Sequence, residues 1–167
     1  MWLERLSRDH NRVDFTCGRD ELDEWFQQTA RQAADVAESS TTYVLTDDGS
    51  TVLGFFAISV HVVAVEEVPA NLVGKHPAHL GVSAILLGRM AVAKDHQGQR
   101  LGERLMRSVI DQVLAIRERV AVRLLVVDAI DEDAAGFYEQ YGFVRWPTDQ
   151  LRLFARAVDL ARTFGLE

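Results

Sequence analysis

The sequence predicts an α/β (α+β) fold, a single mixed central sheet flanked by helices, formed by one domain over residues 1–167. Three observations predict it. Strand-like and helix-like apolar periods alternate along the chain in the order β, α, β, β, β, α, β, α, β. Two β-rich runs are joined by a short turn, which makes an antiparallel pair. A nearly continuous apolar run, "VRLLVVDA", follows a long helix, as expected of a buried strand beside a parallel partner. A chain of 167 residues, 48% hydrophobic and 26% charged, is large enough to bury a core of this kind.

The elements follow in order. A short strand is expected near "MWLERL". Asp20 is placed to cap a helix in which Leu22, Trp25, Phe26, Ala30 and Ala33 fall on one face, running to about Ala37. "TTYVLT", "DDGS" and "TVLGFFAISVHVV" read as a hairpin with a tight turn. The stretch from Ala64 to about Leu80, with Pro69, Gly74 and Pro77, reads as an irregular connection. "VSAILLGRMAV" is a strand ending just before a glycine-bearing loop. Leu105, Val109 and Val113 mark a helix from Leu101 to near Arg119. After "VRLLVVDA", "DEDAAGFYEQYGF" reads as a short helix capped at Asp131 and stopped by Gly142, and "LRLFAR" is the last strand.

Composition excludes several classes. Cys17 is the only cysteine, so there is no internal disulfide and no cysteine-based zinc site, and no metal is expected; Cys17 reads as a small buried residue. The N-terminus is too charged for a signal peptide and the apolar runs are too short to span a bilayer, so a cytoplasmic protein without membrane attachment is expected. A formal charge of −7 argues against a surface that coats nucleic acid. The distribution is uneven, however. Residues 1–40 hold nine acids and five bases, whereas residues 88–107 hold Arg89, Lys94, Arg100, Arg104 and Arg107 against Asp95 and Glu103.

That positive stretch surrounds "DHQGQRLGERLM", residues 95–106, in which Gly98 and Gly102 lead straight into a helix. Glycines let backbone N–H groups approach a bulky ligand, and a helix start leaves N–H groups without internal partners. A glycine-bearing turn before a helix commonly holds nothing, but junctions between a strand and its crossover helix are where α/β folds bind phosphates, which favours reading this loop as a phosphate cradle. It is neither a Walker A loop, which needs Lys and a hydroxyl after the second glycine, nor a G-x-G-x-x-G dinucleotide fingerprint.

"QGQRLG", Gln97 to Gly102, resembles the Q/R-x-x-G-x-G/A loop of the GNAT superfamily of N-acetyltransferases, and "GFYEQYGF" resembles that family's helix-and-strand signature, 36 residues from Gly102 to Tyr138. The resemblance covers the whole chain. It implies a GNAT fold whose splayed strands form the acetyl-CoA cleft, with Gln97, Gly98, Gln99, Arg100, Leu101 and Gly102 around the pyrophosphate. It also implies that the strand edge at Met90, Ala91 and Val92 serves the acetyl carbonyl and pantetheine arm, and that Tyr138 is the acid for the departing sulfur. Read without the family, Tyr138 is a core aromatic beside Phe137, Tyr141 and Phe143. Arg100 stands where the loop has its middle glycine, which is tolerable provided that the residue needs no positive φ and points outward. Asp131 reads as a helix cap, while Glu66, Glu67 and His61 are weaker candidates for deprotonating the acceptor amine.

"FTCGRDELDEWF", "TTYVL", "LLGRMAV" and "AIDEDAAGFYEQYGF" are similar to segments of the GNAT toxins of bacterial toxin–antitoxin pairs, which acetylate the amino group of aminoacyl-tRNA. This narrower resemblance implies aminoacyl-tRNA as acceptor, with Arg89, Lys75, Lys94 and Arg104 as its phosphate contacts, a homodimer and a ribbon-helix-helix antitoxin as partners. Two alternatives stay open: a GNAT enzyme acting on a small-molecule or protein amine, and a non-catalytic coenzyme A-binding partner protein.

Overall fold

The computed structural model describes residues 1–36, 39–77 and 79–166. Seven strands form one sheet in the order β1-β2-β3-β4-β5-β7-β6. The chain divides into two compact units, Met1–Ser59 with Gly88–Val109, and Val60–Leu87 with Ile110–Glu167. Strands β3 (Gly54–Val63) and β4 (Val82–Val92) each contribute residues to both.

In the first unit β1 (Trp2–Arg5) pairs antiparallel with β2 (Thr41–Thr46), Trp2 opposite Thr46 and Arg5 opposite Tyr43. β2 pairs antiparallel with β3, Thr41 opposite Ile58 and Leu45 opposite Gly54. The hairpin is therefore real, but its connection is longer than the tight turn expected, because β3 begins only at Gly54. Asp48 organises that connection, accepting the N–H groups of Ser50 at 2.8 Å and Thr51 at 2.7 Å and the Thr51 hydroxyl at 2.7 Å. Those bonds, the Thr51 hydroxyl foremost, hold its carboxyl well below the usual range.

The first helix is built of α1 (Asp20–Glu24), a π-helical turn (Trp25–Thr29) and α2 (Ala30–Asp35), and Leu22, Phe26, Ala30 and Ala33 are its buried face. The expected end at Ala37 lies outside the described residues. Asp20 is not the cap. It is the first helical residue, and Arg19 precedes it with no side-chain cap bond. Asp23 reaches back instead, taking the Cys17 N–H at 2.8 Å and the Thr16 hydroxyl at 2.7 Å, which ties the first turn to the segment before it without capping the helix amides. Phe26 stacks on Phe55 at 4.2 Å and meets Phe15 at 4.9 Å, which fixes the helix on the sheet.

Gly54 has to be glycine for packing reasons. A Cβ there would come within 2.9 Å of a Leu105 methyl and 3.0 Å of the Ala91 carbonyl oxygen. This close approach sets helix α4 (Leu101–Arg117) against β3 and the last residues of β4. Leu101, Leu105 and Val109 line up on the buried side of α4, followed by Val113 in the second unit.

In the second unit β4 and β5 (Leu124–Asp128) run parallel, Ala84 opposite Leu124 through Leu87 opposite Val127. β7 (Asp149–Arg156) returns antiparallel to β5, and β6 (Val144–Trp146) pairs antiparallel with β7. Val63, Val68, Val82, Leu124, Val126, Trp146 and Phe154 form the core. Asp131 caps α5 (Glu132–Glu139), accepting the Ala134 N–H at 2.9 Å, as the sequence predicts. Three elements escape sequence reading: α3 (Ala70–Val73), inside the connection read as irregular, β6, and α6 (Ala157–Phe164). β6 is three residues long, too short for a period to show. α6 follows β7 without a loop, and Arg156 makes no side-chain cap bond to announce it.

Phe26→Ala should cost about 3–5 kcal/mol, because the side chain is fully buried against two other rings. Urea unfolding followed by tryptophan fluorescence measures it, and a loss below 1 kcal/mol would contradict this packing.

Candidate active site

The junction between β4 and α4 is made by a 3₁₀ turn (Lys94–His96), then Gln97 in extended conformation, then two left-handed residues, Gly98 at φ 78° and Arg100 at φ 62°. Alternating backbone handedness turns successive N–H groups to one side, which is the geometry of an anion nest. The amides of residues 98–103 donate no hydrogen bond among the described residues. A Cβ built on Gly98 meets nothing within 4 Å, so this side of the loop is open. Six unpartnered donors at the start of a 17-residue helix fit a pyrophosphate.

Gln97 supports the loop. Its side-chain amide donates to the Cys17 carbonyl at 2.8 Å and the Val92 carbonyl at 3.1 Å, tying the loop to the strand before it and to the segment that precedes the first helix. The Lys94 amide donates to the Thr16 carbonyl at 2.8 Å from the same side. The segment carrying Cys17 is therefore part of the site's foundation, a role no motif signals. The Cys17 thiol is buried, and burial together with its hydrogen bond to Asp23 pushes its pKa up to about 11, so it is an inert packing residue.

Arg100 departs from expectation. The condition for tolerating a side chain was an ordinary φ, and Arg100 instead has the left-handed conformation, alone among the described non-glycine residues. The family's middle glycine is thus a conformational requirement, which this chain meets at a cost of about 1 kcal/mol. The side chain does point outward: it is 88% exposed, with Glu103 no nearer than 3.9 Å.

Met90, Ala91 and Val92 close β4, whose register with β5 covers only Ala84 to Leu87, so the strand continues five residues past that pairing. Of the basic residues, Arg89 stacks over the Trp25 ring at 4.3 Å and Arg104 donates to the Met1 carbonyl at 2.9 Å. The first unit thus holds Arg89, Lys94, Arg104 and the whole loop, while Lys75 and Tyr138 belong to the second.

Tyr138 is 5% exposed and packs edge-on against Phe137 and Phe143. Its hydroxyl makes no hydrogen bond among the described residues. Burial pushes its pKa above the ordinary value of 10.0, which keeps the phenol protonated at neutral pH. His61, half-buried on β3, has its pKa lowered by burial and then by Arg152, against the opposing pull of Asp128 and Glu67, so its imidazole is neutral at pH 7. Glu66 and Glu67 are exposed on a 3₁₀ turn.

Arg100→Gly should raise stability by about 0.5–1 kcal/mol, the relief of the left-handed Cβ less the added freedom of the unfolded chain. Urea midpoints at constant slope measure it, and a destabilised Arg100→Gly protein would contradict the left-handed loop.

The acetyltransferase (GNAT) domain family matches residues 38–145, a span that includes both the cradle and Tyr138. The tRNA-acetylating toxin of Mycobacterium tuberculosis (strain ATCC 25618 / H37Rv) is 30% identical over 161 residues, 96% of this chain and 95% of that protein. Among solved structures, AtaT complexed with acetyl-methionyl-tRNAfMet superposes with a TM-score of 0.85 at 22% identity, covering 98% of each chain. A tyrosine-to-phenylalanine variant of the AtaT toxin, bound to the C-terminus of the antitoxin AtaR and to acetyl-CoA, superposes with a TM-score of 0.79 at 22% identity, covering 98% of this chain and 97% of that one. The amide cradle before α4 thus lies within a family match that spans most of the chain: this protein belongs to the GNAT family and is an acetyl-CoA-dependent N-acetyltransferase.

Proposed function

We propose that this enzyme acetylates the amino group of an aminoacyl-tRNA. The run of six unpartnered amides at residues 98–103 carries the donor half of the reading, a site for the pyrophosphate of acetyl-CoA. The acceptor half is supported by the relative that acetylates tRNA, similar over nearly the full length of both chains. The AtaT structures, one with an acetylated initiator tRNA and one with an antitoxin and acetyl-CoA, are consistent with it at the level of fold.

Acetyl-CoA supplies the acetyl group as a thioester. The loop amides from Gly98 onward hold its pyrophosphate, with Gln97 fixing the loop and the Gln99, Arg100, Leu101 and Gly102 amides completing the cradle. Backbone groups of Met90 to Val92 orient the pantetheine arm and receive the carbonyl oxygen as negative charge develops on it. The neutral acceptor amine attacks the carbonyl carbon to form the new C–N bond, the C–S bond breaks as Tyr138 donates its phenolic proton to the sulfur, and the proton released from the nitrogen passes to solvent, from which Tyr138 is reprotonated. Arg89, Lys94, Arg104 and Lys75 contact acceptor phosphates. The protein acts in the cytoplasm, as a homodimer that adds the second copy's positive charges, and a ribbon-helix-helix antitoxin is its partner. Among the described residues no helix is long and apolar enough to cross a membrane.

The test offers purified enzyme radiolabelled acetyl-CoA with total charged tRNA and, separately, a panel of free amines and peptides. Label should appear on tRNA and be released with the amino acid; label on small amines alone would replace this reading with a general amine acetyltransferase. With tRNA as acceptor, Tyr138→Phe should lower kcat by roughly 10²-fold while leaving acetyl-CoA affinity nearly intact, and equal turnover would return Tyr138 to a packing role.

A further inference from the structure

The second unit contains a cleft of 430 Å³ lined by His76, Ser83, Arg117, Arg123, Arg156 and Val158, among others. Arg117 is the last residue of α4, Arg123 immediately precedes β5, and Arg156 closes β7. Register explains their meeting: Leu124 pairs with Arg156 on one side of β5 and with Ala84 on the other, so the beginnings of β4 and β5 and the end of β7 come together.

Three guanidinium groups therefore line one cleft in a chain of charge −7. Arg156 is committed to Asp159, at 2.9 and 3.1 Å. Arg117 and Arg123 have no side-chain hydrogen bond or ion pair among the described residues. Two arginines that line the same cleft and have no carboxylate partner among the described residues leave it with uncompensated positive charge that an anion would neutralise. Backbone donors point the same way. Helix α6 starts at the cleft wall with no side-chain cap; its Ala157 amide donates to the Arg123 carbonyl at 3.0 Å, while the amides of Val158 and Asp159 have no partner among the described residues. His76 adds an imidazole whose Nε2–H donates to the Gly81 carbonyl at 3.1 Å. Planar guanidinium forks beside free helix amides suit phosphate oxygens.

The position of the cleft decides what kind of phosphate it takes. It lies at the N-terminal end of β5, whereas α5, which carries Tyr138, follows the C-terminal end of that strand after Asp128. From Arg123 to Asp128 is about 16 Å at ~3.3 Å per residue. A small amine reacting at Tyr138 has no use for a phosphate site at the other end of the strand, and a nucleic acid chain does. The geometry points to this cleft as a site for backbone phosphodiesters of the acceptor RNA, remote from the aminoacyl end. The inference rests on the aminoacyl-tRNA reading and names Arg117 and Arg123 as contacts that the sequence did not single out.

The test compares wild type, Arg117→Ala/Arg123→Ala and Arg117→Lys/Arg123→Lys as full-length proteins. Anisotropy measures binding of deacylated tRNA across salt, and turnover is measured on charged tRNA and on an aminoacylated CCA trinucleotide. The alanine pair should bind tRNA more weakly and flatten the log–log salt slope by about 1 for each phosphate contact removed, with the lysine pair recovering most of the slope. Turnover on the trinucleotide should be unchanged. An unchanged slope in the alanine pair overturns the proposal, even if the pair has lost affinity for an acidic peptide, which would make the cleft a protein-docking site. An equal loss on tRNA and trinucleotide overturns it as well. Wild-type label on small amines but not on tRNA would refute the acceptor reading, while the salt slopes still decide whether the cleft holds phosphates.

Discussion

Six backbone N–H groups without partners among the described residues, at residues 98–103, are the constraint on which the rest of the site depends. Amides left unpaired after folding are costly unless solvent or a ligand takes them, and here they are gathered at the positive end of a 17-residue helix. Holding them requires a loop that alternates handedness at Gly98 and Arg100, a glutamine that ties the loop to two carbonyls, and a helix fixed against the sheet. The last condition traces to Gly54, where the absence of a side chain lets Leu105 of α4 come down onto β3. Residues far apart in sequence, Cys17, Gly54 and Gln97, thus serve one cradle.

The two protein-derived parts of the proposed chemistry are prepared differently. The cradle is polar, open and made of backbone, so its donors are insensitive to pH. Tyr138 is enclosed by aromatic rings, and its proton is held by desolvation rather than by a partner. The raised pKa keeps this phenol protonated at neutral pH and also makes it a weaker acid, so in the proposed chemistry its proton moves only as negative charge develops on a sulfur beside it.

Much of this was legible in the sequence because it rests on local rules. The glycine loop, the parallel partner of β5 and the Asp131 cap each follow from a short pattern with one physical meaning. What escaped rests on relations that patterns do not carry. The left-handed φ of Arg100 runs against residue preference and is imposed by the loop on either side of it. Asp23 rather than Asp20 steadies the first helix because tertiary placement of Cys17 puts its N–H within reach. The basic cluster of Arg117, Arg123 and Arg156 is invisible in a linear charge count, since strand register rather than sequence proximity assembles it. A sum over the chain does not describe a cleft, so the acidic total neither reveals nor excludes this cluster.

The most direct measurement is of the amides themselves. Backbone ¹H–¹⁵N spectra titrated with coenzyme A should show the amides of residues 98–103 moving downfield and gaining protection from hydrogen exchange, ahead of amides elsewhere in α4. Coenzyme A binding that leaves those six resonances and their exchange rates unchanged would contradict the account.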